Sequence, residues 1–359
     1  MTLGTDRLIL RNSPPLAEAT VSAGFVRALA DFAVSRGAAR PALLAASDVD
    51  PEILDDQDNR LPFARYVALM AAAKDQTGDP ALALHFGEAV EVTQFSIAGL
   101  IAEASATMTE AFTQLNRYVR LIVEVDGLAD GDRFQIRFER GGAWVVDTRR
   151  DPGAFPELTE NAFAHLVCGT RKFGTTPLVT AVEVTHPDPG YRGEYERILG
   201  APVAFDADWN AMRVDPDWAT HQVARLPRYA FGVLSQRGDA LLAELEASKT
   251  ARGRVERLLM PMLHTGDASA DAVAAGLGVS RQTLWRRLRA EGVTFEAVLD
   301  ALRHRLAVDY LTARKVSVNE TAYLVGFSEP AAFSHAFKRW TGMSPRAWRA
   351  KGNSLPPSP

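Results

Sequence analysis

Residues 274–288 read AAGLGVSRQTLWRRL, and residues 322–337 read AYLVGFSEPAAFSHAF. In each stretch, a short segment with helical apolar spacing ends in glycine, a hydrophobic residue and serine, and a second helical segment follows. This pattern predicts a helix-turn-helix, in which one helix braces another whose exposed face can enter a DNA groove. Two such units, with turn serines at Ser280 and Ser328, predict one module that reads two stretches of groove.

The first unit predicts a bracing helix at Asp271–Leu277, a turn at Gly278 and a second helix over residues 281–290, with Leu284 and Leu288 buried. Amide and guanidinium groups match the edges of adenine and guanine. The residues predicted to contact bases are Gln282, Trp285 and Arg286. Those predicted to contact phosphates are Ser280, Arg281 and Arg289. A buried packing role is an alternative for Trp285, and a solvated surface is an alternative for the arginines.

The second unit predicts a bracing helix at Asn319–Val325 and a recognition helix at Glu329–Trp340, with Phe333 and Phe337 buried. It has one residue more than the first unit between the turn serine and the first buried position. The predicted base contacts are Ala331, Ser334 and His335. The predicted phosphate contacts are Ser328, Lys338 and Arg339.

A helix over Thr294–Thr312 is predicted to join the two units. Its length of about 27 Å is of the order of one DNA turn, about 34 Å, which separates successive major-groove contacts. We therefore expect both recognition helices to meet one face of the duplex.

The distribution of charge supports a nucleic-acid partner for this end of the chain. Residues 250–359 contain 16 Lys and Arg against 9 Asp and Glu, whereas the preceding residues carry a net charge of −11. A basic segment attached to an acidic body is more informative than the total of −4.

The N-terminal body predicts a mixed α/β fold, and from Tyr229 onward the pattern is helical. Its helices are predicted at residues 16–36, 63–76, 81–86, 111–121, 156–173 and 193–199. Its strands are predicted at residues 134–138, 143–146, 179–184 and 203–205. The fold class is therefore α+β with an all-α C-terminal domain. The predicted boundaries are 1–240 for sensing and dimerisation, 241–251 for a linker, 252–350 for DNA binding and 351–359 for a disordered tail.

Residues from about 252 to 350 resemble the DNA-binding domain of AraC/XylS-type transcription regulators. The matching segments are the first unit, residues 302–307, residues 326–328 and 333–338, and the closing Gly-Met-Ser-Pro-Arg-Ala-Trp-Arg at residues 342–349. The resemblance implies base contacts from both recognition helices. The family usually has arginine where this chain has His335, and Ala331 and Ala332 are small, so we expect the first helix to dominate sequence reading.

The N-terminal body resembles the sensor half of the ornithine-utilisation-regulator branch of that family. The matching segments lie at residues 61–65, 77–80, 84–87 and 115–118. The resemblance implies a sensor without the small β-barrel of sugar-responsive members, and it leaves the effector and its binding residues unidentified.

Other kinds of site find little support in the sequence. His165 and Cys168 lie one helical turn apart, but a packed pair is favoured over a metal site because Cys168 is the single cysteine. The acidic run at residues 55–59 lacks the glycine and glutamate of a calcium loop. Motifs for hydrolases, zinc proteases or nucleotide binding are absent. We expect no cofactor, no metal, no membrane segment and a cytosolic location.

These observations predict a transcription factor that binds promoter DNA and responds to a small-molecule effector held by the N-terminal body. The expected partners also include RNA polymerase and a second copy of the chain. Two alternatives remain, which are an enzyme tethered to DNA by its C-terminal domain and a DNA-binding protein that needs no ligand.

Overall fold

The computed structural model describes residues 19–125, 132–171, 179–265 and 267–351. The chain packs as two compact units that divide after Leu242. Parts of three predicted features lie outside the described residues: residues 16–18 of the first predicted helix, residues 172–173 of the helix predicted at 156–173, and residues 352–359 of the tail.

The first unit combines helices with two small antiparallel or mixed sheets. Its helices are α1 (Ala23–Ser35), α2 (Arg40–Ala46), α3 (Phe63–Thr77), α4 (Leu82–Ala89), α5 (Ile97–Ala104), α6 (Met108–Ile122), α7 (Glu157–Thr170) and α8 (Arg192–Leu199). A further helix, α9 (Arg228–Lys249), contains the point at which the two units divide. Most of the predicted linker, residues 241–251, lies within this helix.

The strands are β1 (Thr20–Ser22), β2 (Arg60–Pro62), β3 (Phe134–Glu139), β4 (Gly142–Asp147), β5 (Val179–Glu183), β6 (Val203–Ala204) and β7 (Asn210–Val214). Strands β1 and β2 pair with each other, and the described part of the larger sheet has the order β3-β4-β7-β5-β6. Strands β5 and β6 are parallel, and the other neighbours are antiparallel. A mixed α/β fold for this unit was predicted, and it is confirmed.

The predicted start of the first helix at Leu16 is wrong. Residues Thr20–Ser22 form a strand that pairs with Arg60–Pro62, and α1 begins at Ala23. Ser22 caps it by accepting a hydrogen bond from the Phe25 N–H at 3.3 Å. The helical spacing before Ala23 is overridden because the partner strand lies some forty residues away in the sequence, where local periodicity gives no sign of it.

Side chains near the starts of α4 and α6 accept hydrogen bonds from backbone N–H groups. The Asp79 carboxylate accepts from the Ala81 N–H at 3.0 Å in a local turn, and α4 begins at Leu82, one residue after the predicted start. Thr107 caps α6, which begins before the predicted residue 111, by accepting from the Glu110 N–H at 3.2 Å. The Glu110 carboxylate accepts from the Ala106 N–H, one residue before the position of a capping box.

The larger sheet contains one strand that was not predicted. Strand β7 lies between β4 and β5, and its side chains at Ala211 and Met212 are buried. Strands β3 and β4 form a hairpin whose two turn residues, Arg140 and Gly141, have φ of 49° and 70°. Positive φ at both turn positions is the geometry that matches the twist of a two-residue hairpin.

The second unit is helical throughout its described residues, as predicted. Its helices are α10 (Ala251–Met262), α11 (Ala270–Gly276), α12 (Arg281–Ala290), α13 (Phe295–Ala313), α14 (Val318–Leu324), α15 (Pro330–Thr341) and α16 (Pro345–Lys351). Lys351, which was assigned to the tail, is the last residue of α16. Two apolar clusters share α13, and Leu306 packs against both of them. The predicted joining helix therefore supports each helix-turn-helix from one continuous element.

Candidate functional site

The first helix-turn-helix forms where the sequence predicted it. Gly278 has a φ of 63° in the turn, and Ser280 caps α12 by accepting from the Thr283 N–H at 3.2 Å. Leu284 and Leu288 are buried. These two leucines fix which side of α12 faces the protein, so the opposite side is available to a partner.

The exposed side of α12 carries the residues predicted to meet DNA. They are Arg281, Gln282, Trp285, Arg286 and Arg289. The side chain of Trp285 is 51% exposed, which removes the alternative of a buried packing role. The Arg281 guanidinium lies 5.4 Å from the centre of the Trp285 ring and 3.2 Å from Asp271. Ser280 is exposed but its hydroxyl is engaged in capping, so a phosphate contact there would share the hydroxyl with Thr283.

The second recognition helix begins one residue later than predicted. Helix α15 starts at Pro330, and Glu329 stands at the cap position without a side-chain bond. Proline suits the first turn because its missing N–H would have no helical partner there. Ser328 is exposed and precedes the cap. The extra residue in this turn therefore separates Ser328 from the capping role that Ser280 has in the first unit.

The predicted contacts on α15 are not equally available. Ala331, His335 and Lys338 are exposed at i, i+4 and i+7 spacing on one face. Ser334 is half-buried, and its hydroxyl donates to the Pro330 carbonyl at 2.9 Å. The Arg339 guanidinium is ion-paired with Asp300 of α13 at 2.7 Å. The predicted contacts of all these residues with DNA remain predictions, and Ser334 and Arg339 would have to share or exchange partners to make them.

Arg303 holds the second turn against α13, a role that the sequence did not reveal. Its Nε donates to the Val325 carbonyl at 3.1 Å, and its Nη2 donates to the Gly326 carbonyl at 2.9 Å. The guanidinium also lies 4.8 Å from the centre of the Phe327 ring. Burial lowers the pKa of Arg303 from its ordinary value. The arginine therefore positions the entry to α15 rather than contacting a partner itself.

Glu291 has a similar structural role in the first helix-turn-helix. Its carboxylate accepts hydrogen bonds from the Ala251 and Arg252 N–H groups at 2.6 and 3.0 Å. A carboxylate at the N-terminus of a helix accepts from the first backbone N–H groups, which have no partner within the helix, and it complements the helix dipole. Glu291 thereby ties the end of α12 to the start of α10.

The first unit contains an apolar cavity of about 260 Å³. We call it the sensor cavity, and its walls come from α4–α7, the β3-β4-β7-β5 part of the sheet and the segment after β7. Its larger apolar side chains include Phe95, Met108, Phe112, Leu115, Val119 and Trp218. A mostly apolar concavity with few polar groups is the usual form of a small-molecule site. The sequence predicted an effector without locating it, because these residues come together only in the folded unit.

His165 and Cys168 both line the sensor cavity. The His165 ring packs 5.7 Å from the Phe86 ring and 5.8 Å from the Phe95 ring. Within the described ranges, no group of three or more His, Cys, Asp or Glu is arranged to hold a metal ion. The His165 ring is thus packed among aromatic side chains, and the acidic run at residues 55–59 is an exposed loop.

None of the helices in the described part of the chain is both long enough and apolar enough to cross a bilayer.

A pair of helix-turn-helix units on one connecting helix defines a DNA-binding protein, and comparison with known proteins gives its class. Residues 37–223 match the family described as the arabinose-binding domain of AraC transcription regulator, N-terminal. Residues 273–351 match the helix-turn-helix domain family. The chain belongs to the AraC-type transcription regulators, with an N-terminal ligand-binding domain and a C-terminal DNA-binding domain, as the sequence predicted.

Individual relatives align along most of the chain. The ornithine utilization regulator of Pseudomonas aeruginosa is 29% identical over 334 residues, which cover 92% of this chain and 96% of that protein. The transcriptional regulator VirS of Mycobacterium tuberculosis is 26% identical over 314 residues, covering 85% and 89%. The crystal structure of the regulator CdpR from Pseudomonas aeruginosa is 22% identical, with a TM-score of 0.38, and covers 90% of this chain and 97% of that chain.

Proposed function

We propose that this regulator reads two successive major-groove segments with α12 and α15 and adjusts its promoter occupancy when an effector binds the sensor cavity. The observation that carries the proposal is the pair of exposed recognition faces, each fixed by a buried pair of side chains on its reverse. Leu284 and Leu288 fix the first face, and Phe333 and Phe337 fix the second. Residues 1–240 would sense and dimerise, and residues 252–350 would bind DNA.

The effector would act by binding one arrangement of the protein more tightly than another. A ligand can shift such an equilibrium only by its difference in affinity for the two states. The proposal includes a homodimer in the cytosol, contact with RNA polymerase and an effector that is released unchanged. The regulators among the relatives support the regulatory role, and the basic charge of residues 250–359 supports DNA binding.

The test is to select DNA sites from a random duplex library with the purified full chain and to measure affinity for the recovered site. We expect a preference over random duplex at moderate salt, and two recognised half-sites about one helical turn apart. Equal affinity for all sequences would overturn the proposal. Chemical conversion of a bound ligand by the protein alone would favour the DNA-tethered enzyme instead.

Replacing Arg286 with alanine should weaken binding to the preferred site by roughly 1–3 kcal/mol and relax the base preference at one position. The guanidinium is exposed on α12 and can reach a guanine edge in a bidentate manner. Affinity should be measured on the preferred site and on its single-base variants. Arg287→Ala is the matched control, because Arg287 is also exposed on α12 but is not predicted to contact bases. Similar behaviour of both variants would contradict the assignment.

Replacing Lys338 with alanine should weaken binding to all sequences alike. A lysine that contacts a phosphate releases about one counterion on binding, so the slope of log affinity against log salt should fall by about one unit. The measurement is a salt titration on the preferred site and on random duplex. Lys315→Ala, an exposed lysine between α13 and α14, should leave the slope unchanged. A loss confined to the preferred site would mean that Lys338 reads bases.

A further inference from the structure

Among the described residues that line the mostly apolar sensor cavity, one arginine lies at depth. Arg133 immediately precedes β3, and its side chain is 3% exposed. The carboxylates that line the same cavity are more accessible: Glu88 and Glu91 are exposed, and Glu103 is half-buried. Glu88 is also held by Arg197 at 2.7 and 2.8 Å. Arg133 is therefore the buried charged group of the cavity wall.

The hydrogen bonds of Arg133 are incomplete. Its Nη2 donates to the Leu158 carbonyl at 3.3 Å and to the Asp147 carboxylate at 3.5 Å. Its Nε has no hydrogen-bond partner among the residues that the structure describes. A guanidinium has five N–H donors in a planar fork. A buried donor without a partner is costly to the folded protein, so this arrangement favours an acceptor supplied from outside the chain.

The charge around Arg133 is also unbalanced. Asp147, whose side chain is 0% exposed, is shared by Arg133 and Arg149. The Arg149 Nε lies 3.1 Å from the Asp147 carboxylate, and its Nη2 donates to Thr159. Among the described residues, two buried guanidinium groups thus share one carboxylate, which leaves an excess of about one positive charge there.

Neighbouring acidic groups do not supply that missing charge. Glu157 is paired with Lys74 at 2.8 Å. Burial raises the pKa of Glu160, which accepts from Tyr191 and Tyr195. Burial lowers the pKa of Arg133, and the nearby Asp147 only opposes this effect. An anion beside Arg133 would favour its charged form.

We propose that the sensor cavity binds a small monocarboxylate with an apolar body, whose carboxylate accepts hydrogen bonds from the Arg133 guanidinium. This inference rests on the proposed function, since it names the chemical class of the effector. The apolar walls match an aliphatic or aromatic body, and one excess positive charge matches one carboxylate. A guanidinium and a carboxylate form parallel charge-assisted hydrogen bonds, which fix the orientation of the ligand. A phosphate dianion would bring more charge than this site balances.

The experiment is calorimetric titration of the full chain with hexanoate, octanoate, cyclohexanecarboxylate and 3-phenylpropanoate, and with the corresponding primary amides. We expect at least one acid to bind and its amide to bind at least about tenfold more weakly, because the amide keeps the shape and loses the charge. This comparison uses the unmodified protein, so it does not depend on whether a variant folds. Equal binding of acid and amide, or no binding by any acid, overturns the proposal.

Variants then assign the effect to the residue. Arg133→Met should remove the preference for acid over amide, and Arg133→Lys should restore part of it. Arg137→Met on β3, which does not line the cavity, should bind as the unmodified chain does. A structural role alone would lower stability in Arg133→Met and leave the acid-to-amide ratio unchanged.

DNA binding separates this inference from the proposed function. If the chain selects specific DNA sites but binds no acid of the panel, the proposed function stands and the carboxylate assignment fails. A chain that binds an acid but selects no DNA site would give the reverse result.

Discussion

Replacing Phe337 with alanine should lower the free energy of unfolding of the second helix-turn-helix by about 3–5 kcal/mol. The Phe337 ring is fully buried and packs against the rings of Phe333 and Trp348, each with its centre 5.7 Å away. The cluster that contains it is small, with few other buried side chains to close the resulting gap. Denaturant unfolding followed by near-ultraviolet circular dichroism would measure the loss.

The consequence for DNA binding should be local. We expect Phe337→Ala to lose protection of the half-site read by α15 and to retain contacts of α12, because Leu284 and Leu288 belong to a separate apolar cluster that does not contain Phe337. Tyr323→Ala provides the control, since Tyr323 is 53% exposed in the same unit, and its removal should cost within about 0.5 kcal/mol. Comparable losses for the two variants would show that the described packing does not carry the stability.

Replacing Gly326 with alanine should destabilise the same unit by roughly 2–5 kcal/mol, from backbone strain and overpacking together. Gly326 has a φ of 82°, and a Cβ atom there would lie 2.7 Å from the Leu263 carbonyl oxygen and 3.3 Å from the Arg303 guanidinium. The strain therefore acts on the turn that Arg303 holds. Unfolding free energy and affinity for a two-half-site duplex should fall together.

Gly278→Ala is the matched control for that substitution. Gly278 occupies the same place in the first turn with a φ of 63°, but no described atom lies within 4 Å of the position of its missing Cβ. Only the left-handed backbone conformation opposes a side chain there, at roughly 1–2 kcal/mol. A larger loss for Gly278→Ala than for Gly326→Ala would contradict the close approach at the second turn.

The recognition helices could be predicted because their signals are local. The signals of the first unit lie within about ten residues, at Gly278, Ser280 and the Leu284–Leu288 pair. Each of them determines the local backbone within about one helical turn. The second helix was misplaced by one residue at its start, because Pro330 moved the cap position from Ser328 to Glu329. Which contacts on α15 are already engaged could not be seen, since Asp300, the partner of Arg339, lies on another helix.

The errors in the first unit arise from pairings that are distant in sequence. Strand β1 replaces the predicted start of α1 because it pairs with β2, and β7 was missed although it lies between β4 and β5 in the sheet. The signal available for β7 was its apolar Ala211 and Met212 with Val214. That signal is too short to be separated from a loop without knowing its neighbours.

The amino-acid sequence by itself determined the class of this protein, its two helix-turn-helix units and the residues on their exposed faces, because capping, turn glycines and helical spacing act over a few residues. Only the tertiary structure decided where the sensor cavity lies and which buried charges line it. The proposed role of Arg133 depends on its neighbours Asp147 and Arg149 and on the apolar walls of the cavity. Those groups lie on separate elements of the chain, and they become buried beside one another only when the unit folds.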